Sequence, residues 1–154
     1  VEIGTATGVS GTAMLLSSTD SKLTTIEKDE DSFNEAKRTF KKFGVEARVK
    51  QILADAGEVL NFTDEKFDFI FLDGAKARYY DYLYDIERLL VKGGTLFADN
   101  VLFRGYVEGG VKYRHRDNTI VRNMRAFLAS INDESKFKTV VLDVGDGVSI
   151  SEKL

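Results

Sequence analysis

The sequence predicts an α/β fold with a mostly parallel sheet of seven strands, helices on both faces and an antiparallel hairpin at the C-terminus. Two observations favour this class. Short β-like runs alternate with helix-like segments along nearly all of the 154 residues, and such alternation is typical of parallel strands joined by crossover helices. The tail from Phe137 instead has two alternating runs around "GDG", which predicts a hairpin that ends the sheet.

The first half of the chain predicts three strands. Residues 1–4, "VEIG", indicate the end of a strand, and a helix follows over residues 8–18. Residues 22–27 and 47–53 predict the second and third strands, separated by a helix from 29 to 44. That helix begins with acidic residues and ends with lysines and a glycine, as helix termini favour. Its apolar residues recur at helical spacing: Phe33, Ala36, Phe40 and Phe43.

The second half predicts two more parallel strands and two helices before the hairpin. The strands are "FDFIFLD" at residues 67–73 and "GTLFADNVL" at residues 94–102, with a helix through residues 79–90 between them. A last helix from about Thr119 to Asn132 carries one apolar face. Its members are Ile120, Met124, Phe127, Leu128 and Ile131.

Composition restricts the possible functions. The chain is 43% hydrophobic and 31% charged, which suits one compact domain over residues 1–154. It has no apolar run of about 18 residues and no basic-then-apolar leader, so we expect a cytoplasmic protein away from membranes. Cysteine is absent and His115 is the one histidine, so chemistry must use carboxylates, amides, hydroxyls and lysines. The chain does not begin with Met, and we expect it to lack its natural start.

A glycine turn follows the first predicted strand. Gly4, Gly8 and Gly11 lead into a helix, whose free N-terminal amides can receive an anionic group. The Gly-x-x-x-Gly spacing differs from the Gly-x-Gly-x-x-Gly of dinucleotide folds, which makes a nicotinamide-dependent oxidoreductase the weaker alternative. A tight turn without any ligand explains the glycines equally well.

Two further polar residues lie at the same predicted sheet edge. Glu27 ends the second strand about 20 residues beyond the glycines, a separation at which an acid accepts bonds from ribose hydroxyls. Asp55 and Ala56 end the third strand, where they can meet an adenine amino group. The alternatives are a surface glutamate and, for Asp55, a helix N-cap. Together with the glycine turn, these residues indicate a nucleoside-shaped site.

Acidic and amide side chains end the next two strands. The fourth strand ends in Asp73, and the apolar part of the fifth ends in Asp99 and Asn100. Adjacent parallel strands bring these oxygens together, and such hard donors suit Mg²⁺, Mn²⁺ or Ca²⁺. Lys76 is near enough in sequence to act there as a base. Turn formation by these residues and a solvated lysine are the alternatives.

The quoted motifs support a family resemblance. "VEIGTATGVSG", "TTIEKDE", "FDFIFLDGAKARYYDYL" and "GGTLFADNVLFRG" resemble the cation-dependent O-methyltransferases, which include catechol and caffeoyl-CoA O-methyltransferases and small bacterial relatives. The resemblance implies a Rossmann-like class I methyltransferase fold and S-adenosylmethionine as cofactor. It places the methionine end on the glycine turn, the ribose on Glu27 and the adenine near Asp55. The implied cofactor contacts are Glu2, Gly4, Thr5, Gly8, Ser10, Glu27, Asp55, Ala56 and Asp73.

The same resemblance implies the chemistry of the site. Asp73, Asp99 and Asn100 bind a divalent cation, Mg²⁺ before Mn²⁺ or Ca²⁺, while Lys76 and Asp73 are the catalytic residues. We expect a homodimer and a small hydroxylated aromatic acceptor. The family's additional N-terminal helices help to close the acceptor pocket, and we expect the missing start of this chain to correspond to them. A non-catalytic nucleoside-binding module is the alternative from another class.

One bacterial branch of the family methylates 5-hydroxyuridine in tRNA, so tRNA is a second candidate acceptor. Basic residues near the predicted last helix can meet phosphates. They are Lys112, Arg114, His115, Arg116, Arg122 and Arg125. A solvated charged face is the alternative, because Glu108 and Asp117 dilute the patch.

Overall fold

The computed structural model describes residues 1–154 and contains seven strands in a mixed sheet, together with five α-helices. Its contacts divide the chain into two compact units, residues 1–63 and 64–154. The seven strands and the antiparallel terminal hairpin confirm the predicted α/β fold. The assignment of residues 1–154 to a single domain stays a prediction. No helix is long and apolar enough to cross a membrane.

The first unit contains three parallel strands in the order β3-β2-β1. Its elements are β1 (Glu2–Ile3), α1 (Val9–Leu16), β2 (Leu23–Glu27), α2 (Glu30–Lys42), a 3-10 helix (Glu46–Arg48), β3 (Val49–Leu53) and α3 (Ala56–Phe62). Helix α2 begins where Asp29 caps it, since the Asp29 carboxylate accepts the Ser32 amide at 2.8 Å. A buried apolar cluster joins the helices to the strands; its members are Leu15, Leu23, Ala36, Phe40 and Val45.

The second unit contains four strands in the order β4-β5-β7-β6. Its elements are β4 (Phe67–Leu72), a 3-10 helix (Lys76–Arg78), α4 (Tyr79–Leu89), β5 (Leu90–Asp99), a 3-10 helix (His115–Asp117), α5 (Asn118–Ile131), β6 (Phe137–Leu142) and β7 (Val148–Lys153). Strands β4 and β5 run parallel, while β7 pairs antiparallel with both β5 and β6. In the β4–β5 register Leu72 lies opposite Ala98. The ends of these two strands therefore lie side by side.

Apolar packing fixes that pair of strands in the second unit. Inward residues of β4 and β5 are wholly buried, namely Ile70, Leu72, Leu96 and Ala98. Helix α5 buries Val121, Met124, Phe127 and Ile131 and packs against α4. A rigid sheet edge is thus available to hold polar side chains.

Two elements differ from the prediction. Helix α3 was anticipated only through the N-cap alternative for Asp55, because a seven-residue helix with a glycine near its start gives little periodic signal. Strand β5 begins at Leu90, directly after α4, rather than at Gly94. Its pairing with β4 is irregular between Phe67 and Phe69. Gly93, at φ 75°, lies in the corresponding part of β5.

Candidate active site

The glycine turn of the first unit connects β1 to α1 in a conformation that favours glycine. Gly4 has φ 99° and Gly8 has φ 79°. A Cβ atom on Gly8 would lie 3.1 Å from the Cα of Ala36, so α2 leaves little room for a side chain there. The turn brings the chain to the N-terminus of α1, where the first amides lack helical acceptors. Such a turn can receive an anionic group.

Glu2 lies buried beneath this turn. Its carboxylate accepts bonds from Ser10 Oγ at 2.5 Å and from Thr25 Oγ1 at 2.6 Å. Thr5 Oγ1 extends the network to Thr25 Oγ1 at 2.5 Å. These bonds satisfy a buried carboxyl group and fasten the turn to β2. The predicted cofactor roles of Glu2, Thr5 and Ser10 stay predictions, and the geometry shows how the three side chains position the turn.

Glu27, at the end of β2, is held by backbone amides. Its Oε2 accepts the Ala6 amide at 2.9 Å, and its Oε1 accepts those of Lys28 and Asp29 at 2.9 and 3.0 Å. Three N–H groups fix the orientation of the carboxylate, which is partly exposed beside the glycine turn. This placement suits an acceptor for a ribose hydroxyl.

Asp55 and Ala56 lie at the end of β3, next to Glu27 in the same unit. The Ala54 amide donates to the Glu27 carbonyl at 2.9 Å, which joins the two strand ends. Asp55 caps α3, since its Oδ1 accepts the Gly57 amide at 2.9 Å. The N-cap alternative is therefore present in the structure, and an adenine contact by Asp55 or Ala56 stays a prediction.

In the second unit, the ends of β4 and β5 bring the predicted cation ligands to one edge. Asp73 and Asp99 each directly follow a residue of the Leu72–Ala98 register pair. Lys76 Nζ lies 2.7 Å from Asp73 Oδ1, with side-chain exposures of 24% for the lysine and 37% for the aspartate. The predicted proximity of Asp73, Asp99 and Lys76 is consistent with this geometry, while their roles stay predictions.

Asn100 has a backbone conformation that is rare for a residue other than glycine, with φ 58°. The backbone amide of Asn100 donates to Asp99 Oδ1 at 2.7 Å. The hairpin between β6 and β7 holds the next two residues, because the amide of Val101 donates to Gly147 O at 2.9 Å and that of Leu102 to Asp146 O at 3.0 Å. The hairpin turn therefore supports the strand end that carries Asn100.

Tyr79 lies directly behind the same edge. Its hydroxyl lies 3.0 Å from both the Leu72 and Asp99 carbonyl oxygens. Burial raises the pKa of the Tyr79 phenol far above its ordinary value, and the negative charges of Asp73 and Asp99 raise this pKa further. Both carboxylates therefore act on one buried phenol.

Asp73, Asp99 and Asn100 offer carboxylate and amide oxygens, which are the ligands that a hard divalent cation prefers. Asp73 and Asp99 each use Oδ1 in the bonds described above, and each has a second carboxylate oxygen. The structure contains no group of three or more His, Cys, Asp or Glu side chains suited to a metal. A cation here would need the Asn100 amide oxygen as third protein ligand, with water or substrate completing its coordination.

The residues of the predicted basic patch are exposed, and one of them is also anchored to the backbone. Lys112, Arg114, His115 and Arg122 are exposed. Arg125 is exposed as well, but its guanidinium donates to the carbonyl oxygens of Val107 at 2.9 Å and Tyr106 at 3.1 Å and so fastens the loop before α5. The remaining member, Arg116, is also exposed and lies 3.9 Å from Asp117.

Comparison with known proteins gives the family. The model of an O-methyltransferase family (Methyltransf_3) matches residues 1–154. The chain belongs to this O-methyltransferase family. It is 30% identical to a caffeoyl-CoA O-methyltransferase of Stellaria longipes, over 100% of this chain and 67% of that enzyme. This confirms the predicted family and enzyme class.

Solved structures support the assignment of this chain to the O-methyltransferase family. A Staphylococcus aureus protein described as a caffeoyl-CoA O-methyltransferase superposes with a TM-score of 0.90 at 31% identity, covering 99% of this chain and 74% of that one. The SAH-bound methyltransferase PaMTH1 of Podospora anserina superposes with a TM-score of 0.86 at 28% identity, covering 99% and 70%. The methyltransferase fold is thereby confirmed.

Three residues that support the ends of β4 and β5 in this O-methyltransferase could not be identified from the sequence. No motif marked Tyr79 as part of this sheet edge, and the "GDG" motif placed Asp146 and Gly147 only in a hairpin turn. Position 147 favours glycine, because its φ is positive and a Cβ atom there would overlap the Leu102 side chain. The "GDG" motif was the available signal, and it marked a turn without showing which strand end the turn supports.

Proposed function

We propose that this O-methyltransferase transfers the methyl group of S-adenosylmethionine to a hydroxyl of an acceptor that has two vicinal oxygens, in the presence of a divalent cation. The observation that carries the proposal is the grouping of Asp73, Asp99 and Asn100 at two adjacent strand ends, with Lys76 Nζ 2.7 Å from Asp73. A module that only bound a nucleoside would need none of these four side chains.

The first unit supports the cofactor part of the proposal. We propose that Glu27 binds the ribose of the cofactor and that Asp55 and Ala56 contact its adenine. The turn from Gly4 to Ser10 receives the methionine end. The partly exposed Glu27 carboxylate and the glycine turn are joined through the Ala6 amide. The SAH-bound Podospora relative, which covers 99% of this chain, supports the same cofactor class.

The second unit supports the acceptor part. Asp73, Asp99 and Asn100 would hold the cation, which would supply Lewis-acid chemistry that lowers the pKa of a bound hydroxyl; Mg²⁺ is the first choice for this donor set. Lys76, whose Nζ donates to Asp73 Oδ1 in this structure, is the proposed base: its ammonium group first releases a proton to solvent, and the neutral amine then takes the hydroxyl proton. As the methyl group moves, an oxygen–carbon bond forms and the sulfur–carbon bond breaks.

Substitution of Asp99 separates cofactor binding from transfer. We expect Asp99→Ala to bind S-adenosylmethionine within about twofold of the wild type but to lose transfer to a catechol by at least roughly a hundredfold. Asp143→Ala is the matched control, because Asp143 is exposed and lies outside the site. Transfer by Asp99→Ala at the wild-type rate would contradict the proposal. Cofactor binding by the wild type without transfer to any phenol would favour the nucleoside-binding module.

The acceptor class we favour is a small hydroxylated aromatic, on the basis of the caffeoyl-CoA relative. The exposed cations Lys112, Arg114 and Arg122 support tRNA containing 5-hydroxyuridine as a second candidate. A homodimer, which rests on the family resemblance, and a cytoplasmic location, which rests on the composition of the sequence, complete the proposal.

A paired assay distinguishes the two acceptors. Reversal of Arg114, Arg116 and Arg122 to Glu should raise the KM for tRNA and leave catechol methylation unchanged, because phosphate contacts position a large substrate. Arg125 is kept, since its substitution would loosen the loop that it anchors. Equal losses on both substrates would assign the arginines to the fold. No methyl incorporation into tRNA by the wild type would exclude the tRNA branch.

A further inference from the structure

A single buried hydroxyl contacts the backbone on both sides of the candidate cation site. Tyr79 begins α4 and is 0% exposed. Its hydroxyl lies 3.0 Å from Leu72 O, in the peptide group that leads to Asp73, and 3.0 Å from Asp99 O, in the peptide group that leads to Asn100. One phenol therefore contacts the peptide groups that adjoin all three candidate ligands.

The surroundings of Tyr79 keep its hydroxyl in this place. The ring packs edge-on against Phe127, with centroids 5.5 Å apart, and Lys76 Nζ lies 6.0 Å from the ring centroid. The β4–β5 ladder ends at the Leu72–Ala98 pair. At this end of the ladder the Tyr79 hydroxyl lies between strands β4 and β5 and donates its one proton to the carbonyl oxygen of either Leu72 or Asp99.

We propose that Tyr79 is a positioning residue for cation binding, which sets the separation of Asp73 from Asp99 and Asn100 through their backbones. The inference rests on the proposed function, because it concerns the ligands of the proposed cation. Outer groups that orient metal ligands affect metal affinity strongly even though they never touch the ion. Tyr79 is placed to act in this way through two carbonyl groups rather than through the ligand side chains.

Removal of the hydroxyl alone tests the inference. We expect Tyr79→Phe to raise the Kd for Mn²⁺, measured by calorimetry without acceptor, by about tenfold or more. The Kd for S-adenosylmethionine should stay within about twofold. Tyr82→Phe is the matched control, since Tyr82 is also buried in α4 and lies outside the site; it should bind Mn²⁺ like the wild type.

The outcomes separate this inference from the proposed function. If the wild type binds Mn²⁺ and Tyr79→Phe binds it equally well, the positioning role is wrong and the cation site stands. If the wild type binds no Mn²⁺, both are wrong. A merely structural role would lower the melting temperature and leave Mn²⁺ affinity unchanged.

Unnatural residues cover the case in which Tyr79→Phe does not fold. At position 79, 4-fluorophenylalanine fills the space of the hydroxyl without a donor, and 4-aminophenylalanine restores an N–H donor. We expect the amino variant to bind Mn²⁺ close to the wild type and the fluoro variant to bind it about tenfold more weakly. Equal Mn²⁺ affinities for the two variants would overturn the positioning role.

Discussion

Substitution of Glu27 by glutamine should weaken cofactor binding by an amount that follows from its hydrogen bonds. A carboxylate offers about four lone-pair positions, and the amides of Ala6, Lys28 and Asp29 already occupy three of them. One position is left for a ribose hydroxyl. A hydrogen bond to a charged acceptor contributes about 1.5 to 3 kcal/mol. The Kd for S-adenosylmethionine should therefore rise by roughly 10- to 100-fold.

The assay is calorimetric titration of S-adenosylmethionine into the wild type, Glu27→Gln and Glu30→Gln. Glu30 is the control, because it is an exposed glutamate in the first turn of the neighbouring helix α2. Thermal denaturation shows separately whether the substitution has destabilised the glycine turn, whose Ala6 amide donates to Glu27. Wild-type affinity in a folded Glu27→Gln variant would refute the assignment of the ribose to Glu27. Binding of NAD in place of S-adenosylmethionine by the wild type would refute the cofactor itself.

Two further predictions concern stability. Gly147→Ala should lower the free energy of unfolding, measured by thermal denaturation, by about 1 to 3 kcal/mol, because the added Cβ overlaps Leu102. Gly145→Ala is the control, since Gly145 also has a positive φ but has open space around it. Hydrogen bonds from Ser32 lower the pKa of Asp29, so its cap stabilises α2 above the unfolded-state pKa and is lost as the pH falls through the folded-state pKa. The melting-temperature difference between the wild type and Asp29→Ala should accordingly vanish in acid, and a difference independent of pH would contradict this.

The sequence predicted what depends on periodicity and on the geometry of parallel strands. Alternation along the chain was enough to predict seven strands. The proximity of Asp73 to Asp99 followed because adjacent parallel strands end at one edge, and the Leu72–Ala98 register agrees. Asp55 illustrates an ambiguity that sequence cannot remove, because an aspartate after a strand suits both a helix cap and a ligand.

Contacts to backbone atoms and between distant segments could not be predicted. The Tyr79 hydroxyl binds carbonyl oxygens of β4 and β5, and no residue type marks such acceptors. The turn at Asp146 and Gly147 holds the chain after Asn100 across a long sequence separation. Arg125 belonged to a basic run by sequence, yet carbonyl oxygens of the preceding loop engage its guanidinium. Side-chain partners of this kind follow from tertiary packing.

Cation-dependent methyl transfer is the central claim, and chelation tests it most directly. The wild type is incubated with radiolabelled S-adenosylmethionine and a catechol, first in excess EDTA and then after addition of Mg²⁺ or Mn²⁺. We predict that methyl incorporation is abolished by the chelator and restored by the cation, because Asp73, Asp99 and Asn100 supply the hard oxygen donors of the site. Full incorporation in excess EDTA would contradict the account.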